Sequence, residues 1–367
     1  MIPVLIIGAG PAGLAVSARL IKAGVGFEIL EKEDVVASKW RDHYDRLHLH
    51  TTKDFSYLPF KYFDKQLPTF VSKFQYHDYA RTYAEEMYIK PCFGEFAVDI
   101  QKGVEGWAVQ TNKRQIEARN VVVATGINHD PRLPGWASES AIPVVHAAKY
   151  KNPFQFDGDR FLVVGFGNSG AEIALDLGEK GKQVWCSIRS EVNVVPLKIL
   201  GRSTQATGSA LAKLPFGLGD RIGKFIARMA VGDLSRYGLR SSSMAPAQML
   251  REKGRTPMID LGTIRMIRQG KIQVVGDVKS VKDHVLLANG QELHVDHIVC
   301  ATGYTNGLPD LIPQIDQIFD EYGQPPLLGS DQFHGLYFPG FDNHHLGGVL
   351  KRVREESQIV TEDILGH

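Results

Sequence analysis

Three glycines within six residues occur twice in this chain, as Gly8-Ala9-Gly10-Pro11-Ala12-Gly13 and as Gly165-Phe166-Gly167-Asn168-Ser169-Gly170. That spacing suits one kind of chemistry: closing backbone N–H groups on a diphosphate. The first glycine makes the tight turn and the second clears the path of the phosphate oxygens. The third lets the following helix press against the strand before it. The helix N-terminus adds free N–H groups and a partial positive charge. One such loop is a weak signal. Two in the same setting point to two dinucleotides on one polypeptide, the wiring of a flavoprotein fed by a nicotinamide cofactor.

The residues that follow each loop differ in charge. Glu31 stands roughly 20 residues beyond the first loop, where a carboxylate binds a ribose diol and repels a 2′-phosphate. This suits FAD or NAD, with Lys32 beside it and Val98 further on as additional cofactor-lining candidates. Arg189 and Ser190 take the matching place after the second loop. A guanidinium there grips a 2′-phosphate through paired hydrogen bonds, so the second nucleotide reads as NADPH.

These residues need elements to hold them. Val4 to Ile7 and Phe161 to Val164 read as short buried strands leading into the loops. A helix after the first loop carries Leu14, Val16, Leu20 and Ile21, is broken by Ser17 and Lys22, and stops at Gly24. A strand Phe27–Leu30 then delivers Glu31. The second loop leads to a helix over Ala171–Leu177 and a strand over Gln183–Ile188. Two Ala-Thr-Gly turns, Ala124-Thr125-Gly126 and Ala301-Thr302-Gly303 with Tyr304, end strands that return towards a nucleotide. Thr125, Gly126, Ala301, Thr302, Gly303 and Tyr304 join the candidates. Gly106–Thr111 and Ile272–Val275 alternate like antiparallel strands laid over each sheet. The expected fold is α/β: two Rossmann-like dinucleotide-binding domains, three-layer ββα, of the glutathione-reductase-like superfold. An FAD domain over 1–155 and 296–367 would hold an inserted NADPH domain over 156–295, with a basic helical insertion at about 197–255.

Composition excludes several classes. The 367 residues carry a formal net charge of +1, so no nucleic-acid partner is expected. No apolar run reaches the ~18 residues that span a bilayer, and the chain starts at a core strand with no room for a secretory leader. A cytoplasmic enzyme is expected. The three cysteines form no C-x-x-C pair, which argues against a dithiol reductase, and no ligand cluster for a metal is seen.

The chain resembles the class B flavin-dependent monooxygenases, most closely the plant YUCCA-type enzymes, nearly end to end. The resemblance is carried by Trp40-Arg41, by Tyr44-Asp45-Arg46-Leu47-His48-Leu49-His50, and by Leu58-Pro59-Phe60. It continues in the Gly165–Gly170 loop with Ala171-Glu172, in Gly201-Arg202-Ser203-Thr204, and in Gly232-Asp233-Leu234 with Tyr237-Gly238-Leu239. Gly254-Arg255-Thr256-Pro257 and Gly335-Leu336-Tyr337 complete it. The family's motif, Phe-x-Gly-x-x-x-His-x-x-x-Tyr, is half present. His146 to Tyr150 match, but Ser140 and Ile142 stand in place of Phe and Gly. His50 stands where many animal and bacterial members have asparagine, as it does in the YUCCA-type enzymes.

The resemblance implies that NADPH reduces the flavin, which then takes up O2 as a C4a-(hydro)peroxide that must be kept from water. His50, Thr51 and Thr52, after an expected Leu-His-Leu-His strand, are the candidates for polar contacts to the reacting atoms. Trp40, Arg41 and His48 are the flavin-packing candidates. A deprotonated adduct would attack a 2-oxo acid such as indole-3-pyruvate; a protonated one would oxygenate an amine or thioether. The alternative is NADPH oxidation with little oxygenation. The partners are then a small-molecule substrate and O2, with no oligomeric state implied.

One stretch stands apart in charge. Residues 189–255 carry twelve Lys and Arg against four Asp and Glu. Within it Ile222, Phe225, Ile226 and Met229 share a helical face, with Arg221, Lys224 and Arg228 elsewhere. Three readings are open: a core-packed helix with a solvated basic face, favoured; a lid over an anionic aromatic substrate; and a membrane-surface helix, the least expected.

Overall fold

The strand β1 (Ile2–Ile7) buries Val4, Leu5, Ile6 and Ile7, as an apolar run in a sheet covered on both faces must. The computed structural model describes residues 1–199, 201–215 and 217–366. They form two compact units.

The first unit holds Met1–Asp42, Thr51–Asp130 and the residues from Thr305 on. From β1 the chain passes into α1 (Pro11–Ala23), whose rigid Pro11 at the first turn needs no N–H partner. Gly24, at φ 72°, ends the helix in the left-handed conformation. Next come β2 (Phe27–Glu31), α2 (Ser38–Asp42), α3 (Lys53–Ser56) and α4 (Lys73–Glu86). α4 starts with a capping box in which Ser72 and Gln75 satisfy each other's backbone N–H groups. Four strands follow: β3 (Cys92–Phe93), β4 (Ala97–Lys102), β5 (Trp107–Thr111) and β6 (Gln115–Val123). The sheet order is β3-β2-β1-β6-β5-β4. β1 pairs in parallel with β2 and β6, while β4, β5 and β6 run antiparallel. Leu5, Ile7, Val121 and Val123 meet Ile100, Trp107 and Val109 of this meander in one core cluster. α1 and the C-terminal helix Val349–Leu365 pack side by side.

The second unit holds His43–His50 and Pro131–Tyr304. Its five-stranded parallel sheet runs Ile272–Val275, Gln183–Ser187, Arg160–Val164, His297–Cys300, Val144–His146. Alternate residues divide between its faces. Phe161, Val163, Val184, Cys186 and Val299 pack with Ile173, Ala174, Leu175 and Leu177 of α5 (Asn168–Glu179). Leu162, Val164, Ile298 and Cys300 pack against the antiparallel strands Val278–Val281, Val285–Leu287 and Glu292–Leu293. This is the expected three-layer ββα plan. Beyond the sheet lie α6 (Thr204–Leu211) and α7 (Leu218–Val231).

Three expectations are corrected. The unit boundaries fall at 130/131 and 304/305, not at 155/156 and 295/296. The reason is pairing: His297–Cys300 inserts between Arg160–Val164 and Val144–His146, so both flanking segments join the second sheet. Ile272–Val275 is a parallel edge strand, with Val184 opposite Ile272. Its alternation comes from being half-exposed at that edge. Leu47–His50 is not a regular strand, and it belongs with His43 to the second unit. Of the ranges expected from sequence, positions 200, 216 and 367 lie outside the described residues.

Candidate dinucleotide sites

Both glycine loops follow one steric rule. A Cβ on Gly8 would stand 2.7 Å from the Ala124 carbonyl oxygen, and one on Gly13 1.9 Å from that of Gly8. In the second unit a Cβ on Gly165 would stand 2.5 Å from the Ala301 oxygen, and one on Gly170 2.1 Å from the Gly165 oxygen. The first and third glycines are therefore forced by backbone. Gly10 and Gly167 meet nothing within 4 Å. The protein leaves space at the middle glycine of each loop. Each loop is also backed by its own Ala-Thr-Gly turn, with Gly126 and Gly303 at φ 77° and 81°.

In the first unit Glu31 is buried at the loop. Its Oε2 accepts the Ala9 N–H at 2.8 Å and its Oε1 the Glu33 N–H at 3.0 Å. The Ser38 hydroxyl also reaches Oε1, at 3.5 Å, and since a carboxylate has about four acceptor positions, room remains for one further donor. The Thr125 hydroxyl is buried without a hydrogen-bond partner, an orphan that a bound nucleotide would satisfy. The Ala37 N–H donates to the Ala9 carbonyl, fixing the loop that leads to α2. On α2, Trp40 lies 4.3 Å from the Tyr76 ring, and Arg41 pairs with Asp34 and Asp42, which raise its pKa. Lys32 is exposed over the Phe96 ring. Val98 is not brought to this cradle: β4 is the far edge strand, separated from β1 by β6 and β5.

In the second unit the Arg189 side chain is exposed beside a cavity of about 310 Å³ lined also by Ile188, Arg240, Val274, Gly276 and Asp277. Arg240 donates to the Arg189 carbonyl, which braces the loop just after the strand. Ser190 is exposed next to it. The Asn168 side chain accepts the Ile259 N–H at 2.8 Å, so it anchors a neighbouring strand. His146 is buried. Its Nδ1 accepts the Ala148 N–H, which leaves Nε2–H to donate to the Gly303 carbonyl at 3.0 Å. Burial lowers its pKa. This histidine of the half-motif thus holds the second Ala-Thr-Gly turn, and Thr302 is tied to the Arg132 carbonyl. The Tyr304 ring meets His146 edge-on.

The three reaction-centre candidates separate in role. His50 Nε2–H donates to the Glu172 carboxylate at 2.5 Å. Glu172 is 1% exposed, the fifth residue of α5, and its Oε2 has no hydrogen-bond partner. The Tyr44 hydroxyl lies beside Ser169 and Glu172, and burial pushes its pKa well up. Sequence reasoning missed this Tyr44–Glu172–His50 cluster; two histidines upstream of a glycine-loop helix with an acid at its fifth position were the available signal. His48 is exposed, its Nδ1 bonded to the Arg46 carbonyl. In the first unit Thr51 Oγ1 shares a 2.6 Å hydrogen bond with Ser56 Oγ, and Thr52 is the N-cap residue of α3. Among the described residues, no group of three or more His, Cys, Asp or Glu is placed to hold a metal ion. None of their helices is long and apolar enough to cross a membrane.

A parallel sheet with a glycine loop and its acidic or basic strand end, built twice, defines a two-dinucleotide oxidoreductase. Residues 5–196 match the family described as pyridine nucleotide-disulphide oxidoreductase. Probable indole-3-pyruvate monooxygenase YUCCA9 of Arabidopsis thaliana is 36% identical over 362 residues, covering 94% of this chain and 85% of its own. Indole-3-pyruvate monooxygenase YUCCA1 of Oryza sativa subsp. japonica is 37% identical, covering 94% and 88%. A solved flavin-containing monooxygenase from Stenotrophomonas maltophilia matches the fold with a TM-score of 0.76 at 17% identity, covering 100% of this chain and 98% of that one. The chain belongs to the class B flavin-dependent monooxygenases, in their YUCCA-type branch. It shares the disulphide oxidoreductase fold without a cysteine pair, since Cys92, Cys186 and Cys300 are all free.

Proposed function

We propose that the first unit holds FAD and the second NADPH, and that the enzyme oxygenates a small organic substrate with O2. The favoured substrate class is a 2-oxo acid, after the indole-3-pyruvate in the names of the curated relatives. One observation carries the cofactor reading: both loops are closed by backbone at their first and third glycines and open at Gly10 and Gly167. When bound, the flavin supplies hydride acceptance and oxygen activation. The chain's own residues bind and orient. Glu31 takes a ribose diol, Arg189 and its neighbour Arg240 face a 2′-phosphate, and Thr125 gains a partner for its hydroxyl. His50 is fixed by Glu172, and Thr51 and Thr52 remain the candidates for neutral polar contacts. None is a strong acid or base, which suits chemistry whose main demand is the exclusion of water.

Gly10→Val and Gly167→Val test the reading. Neither new side chain meets protein at its Cβ, so both variants are expected to fold like the flavin-free wild type. The first should purify colourless. The second should stay yellow but no longer be reduced by NADPH. Retention of flavin and of NADPH turnover in both would refute the assignment. A second reading, NADPH oxidation with little oxygenation, draws on the departed half-motif. Ser140 donates to the Ile142 carbonyl and accepts the Ile142 N–H, and Ile142 is buried, so that segment closes on itself. Hydrogen peroxide release equal to NADPH consumption with every 2-oxo acid, amine and thioether tried would favour it.

A further inference from the structure

α7 is turned inside out relative to an ordinary surface helix. Its small residues face inward: Gly219, Ala227 and Val231 are buried. A Cβ on Gly219 would stand 2.0 Å from the Leu211 carbonyl oxygen, so α6 passes too close for any larger side chain. Ile222 and Ile226 are half-buried at the border of that face, while the other large apolar residues face water. Leu218 is 48% exposed, Phe225 64% and Met229 72%, with Leu214 of the preceding loop at 39%. These side chains lie on one side, because positions seven and eleven residues after Leu218 come back to nearly the same angle. Of the face expected to pack on the core, Ile222 and Ile226 are half-buried, but Phe225 and Met229 are not covered.

The charge around the stripe identifies its partner. Arg221, Lys224 and Arg228 are exposed and flank the apolar residues on one side, with Lys224 also donating to the Ser243 carbonyl. The one acid of the helix, Asp220, is neutralised by Arg251 of the following helix. The surface is therefore apolar with a cationic flank, in a stretch of twelve basic and four acidic residues. A second copy of the same face would meet like charge. A layer with an apolar interior and anionic headgroups matches both halves. We propose that the outward face of α7 docks the enzyme on an anionic phospholipid surface. Phe225 and Met229 enter the headgroup–acyl boundary while Arg221 and Arg228 meet phosphates. A helix of 14 residues, about 21 Å long, lies in that plane rather than across it.

Sedimentation of the intact enzyme with vesicles tests this. Wild type should pellet with phosphatidylcholine vesicles containing phosphatidylglycerol at low salt, and neither with pure phosphatidylcholine nor at high salt. Each arginine replaced, as in Arg221→Gln and Arg228→Gln, should weaken binding about fivefold. Phe225→Ser with Met229→Ser should abolish it. All four positions are exposed, so the melting temperature serves as the control for folding. No pelleting with anionic vesicles, or pelleting unchanged in the Phe225/Met229 variant, would overturn the proposal. So would a wild-type dimer in solution that this variant converts to monomer, which would assign the face to a second copy of the chain.

Discussion

Arg189 follows the strand Gln183–Ser187 by two residues and lines a cavity that Arg240 also lines. Under the proposed function these two guanidinium groups would hold one phosphate monoester, with Arg240 braced on the Arg189 carbonyl. Arg189→Ala is expected to narrow the NADPH-over-NADH preference in kcat/KM about tenfold, or about 1.4 kcal/mol. An unchanged preference would assign the selection to Arg240. At this scale the sequence was most legible where the constraint is local. Gly8, Gly13, Gly165 and Gly170 are dictated by backbone atoms a few residues away or in the adjacent strand, so their spacing alone reveals them. Glu172 was not legible. A carboxylate on a helix ordinarily faces water. Here its partner is His50, which only the folded chain brings to it.

Among the elements, the C-terminal helix Val349–Leu365 carries an unusual buried carboxyl. Glu356 is 1% exposed, accepts the Gly340 N–H at 2.7 Å and faces Arg352, which also pairs with Asp342. Burial outweighs these partners and pushes its pKa up from 4.5 to about 7. Because the folded value lies above the unfolded one, the native state holds this proton more tightly between the two. Its contribution is present in acid and is lost as pH rises through that window. Glu356→Gln keeps an acceptor for Gly340 and cannot ionise. It should leave stability nearly unchanged near pH 4.5 and raise it above about pH 8 by at most about 3 kcal/mol, read from denaturant unfolding at both pH values. A variant destabilised equally at both would show that the carboxyl acts only through its shape. Strands and helices beside the loops were foreseeable from their periodicity. The facing of α7 was not: an apolar stripe normally points inward, and here Gly219 packs against α6 while Phe225 and Met229 stay exposed.

At the level of the whole molecule, duplication of the strand–loop–helix unit makes the two-unit plan visible in the sequence. The boundaries were not visible. A strand such as His297–Cys300 carries the same buried apolar pattern whichever sheet it joins, and only its register against Phe161 to Val164 places it. The YUCCA-type relatives cover the chain almost entirely, so both units belong to one family architecture. What that architecture is for rests on electrons passing from NADPH to a bound flavin in this one polypeptide. The most direct measurement is the visible absorbance of the purified protein on mixing with NADPH in the absence of oxygen. The account predicts a yellow protein that bleaches in proportion to added NADPH, much faster than with NADH, and regains its colour when air is admitted. A protein that takes up no flavin, or a yellow one whose absorbance NADPH leaves unchanged, would contradict it.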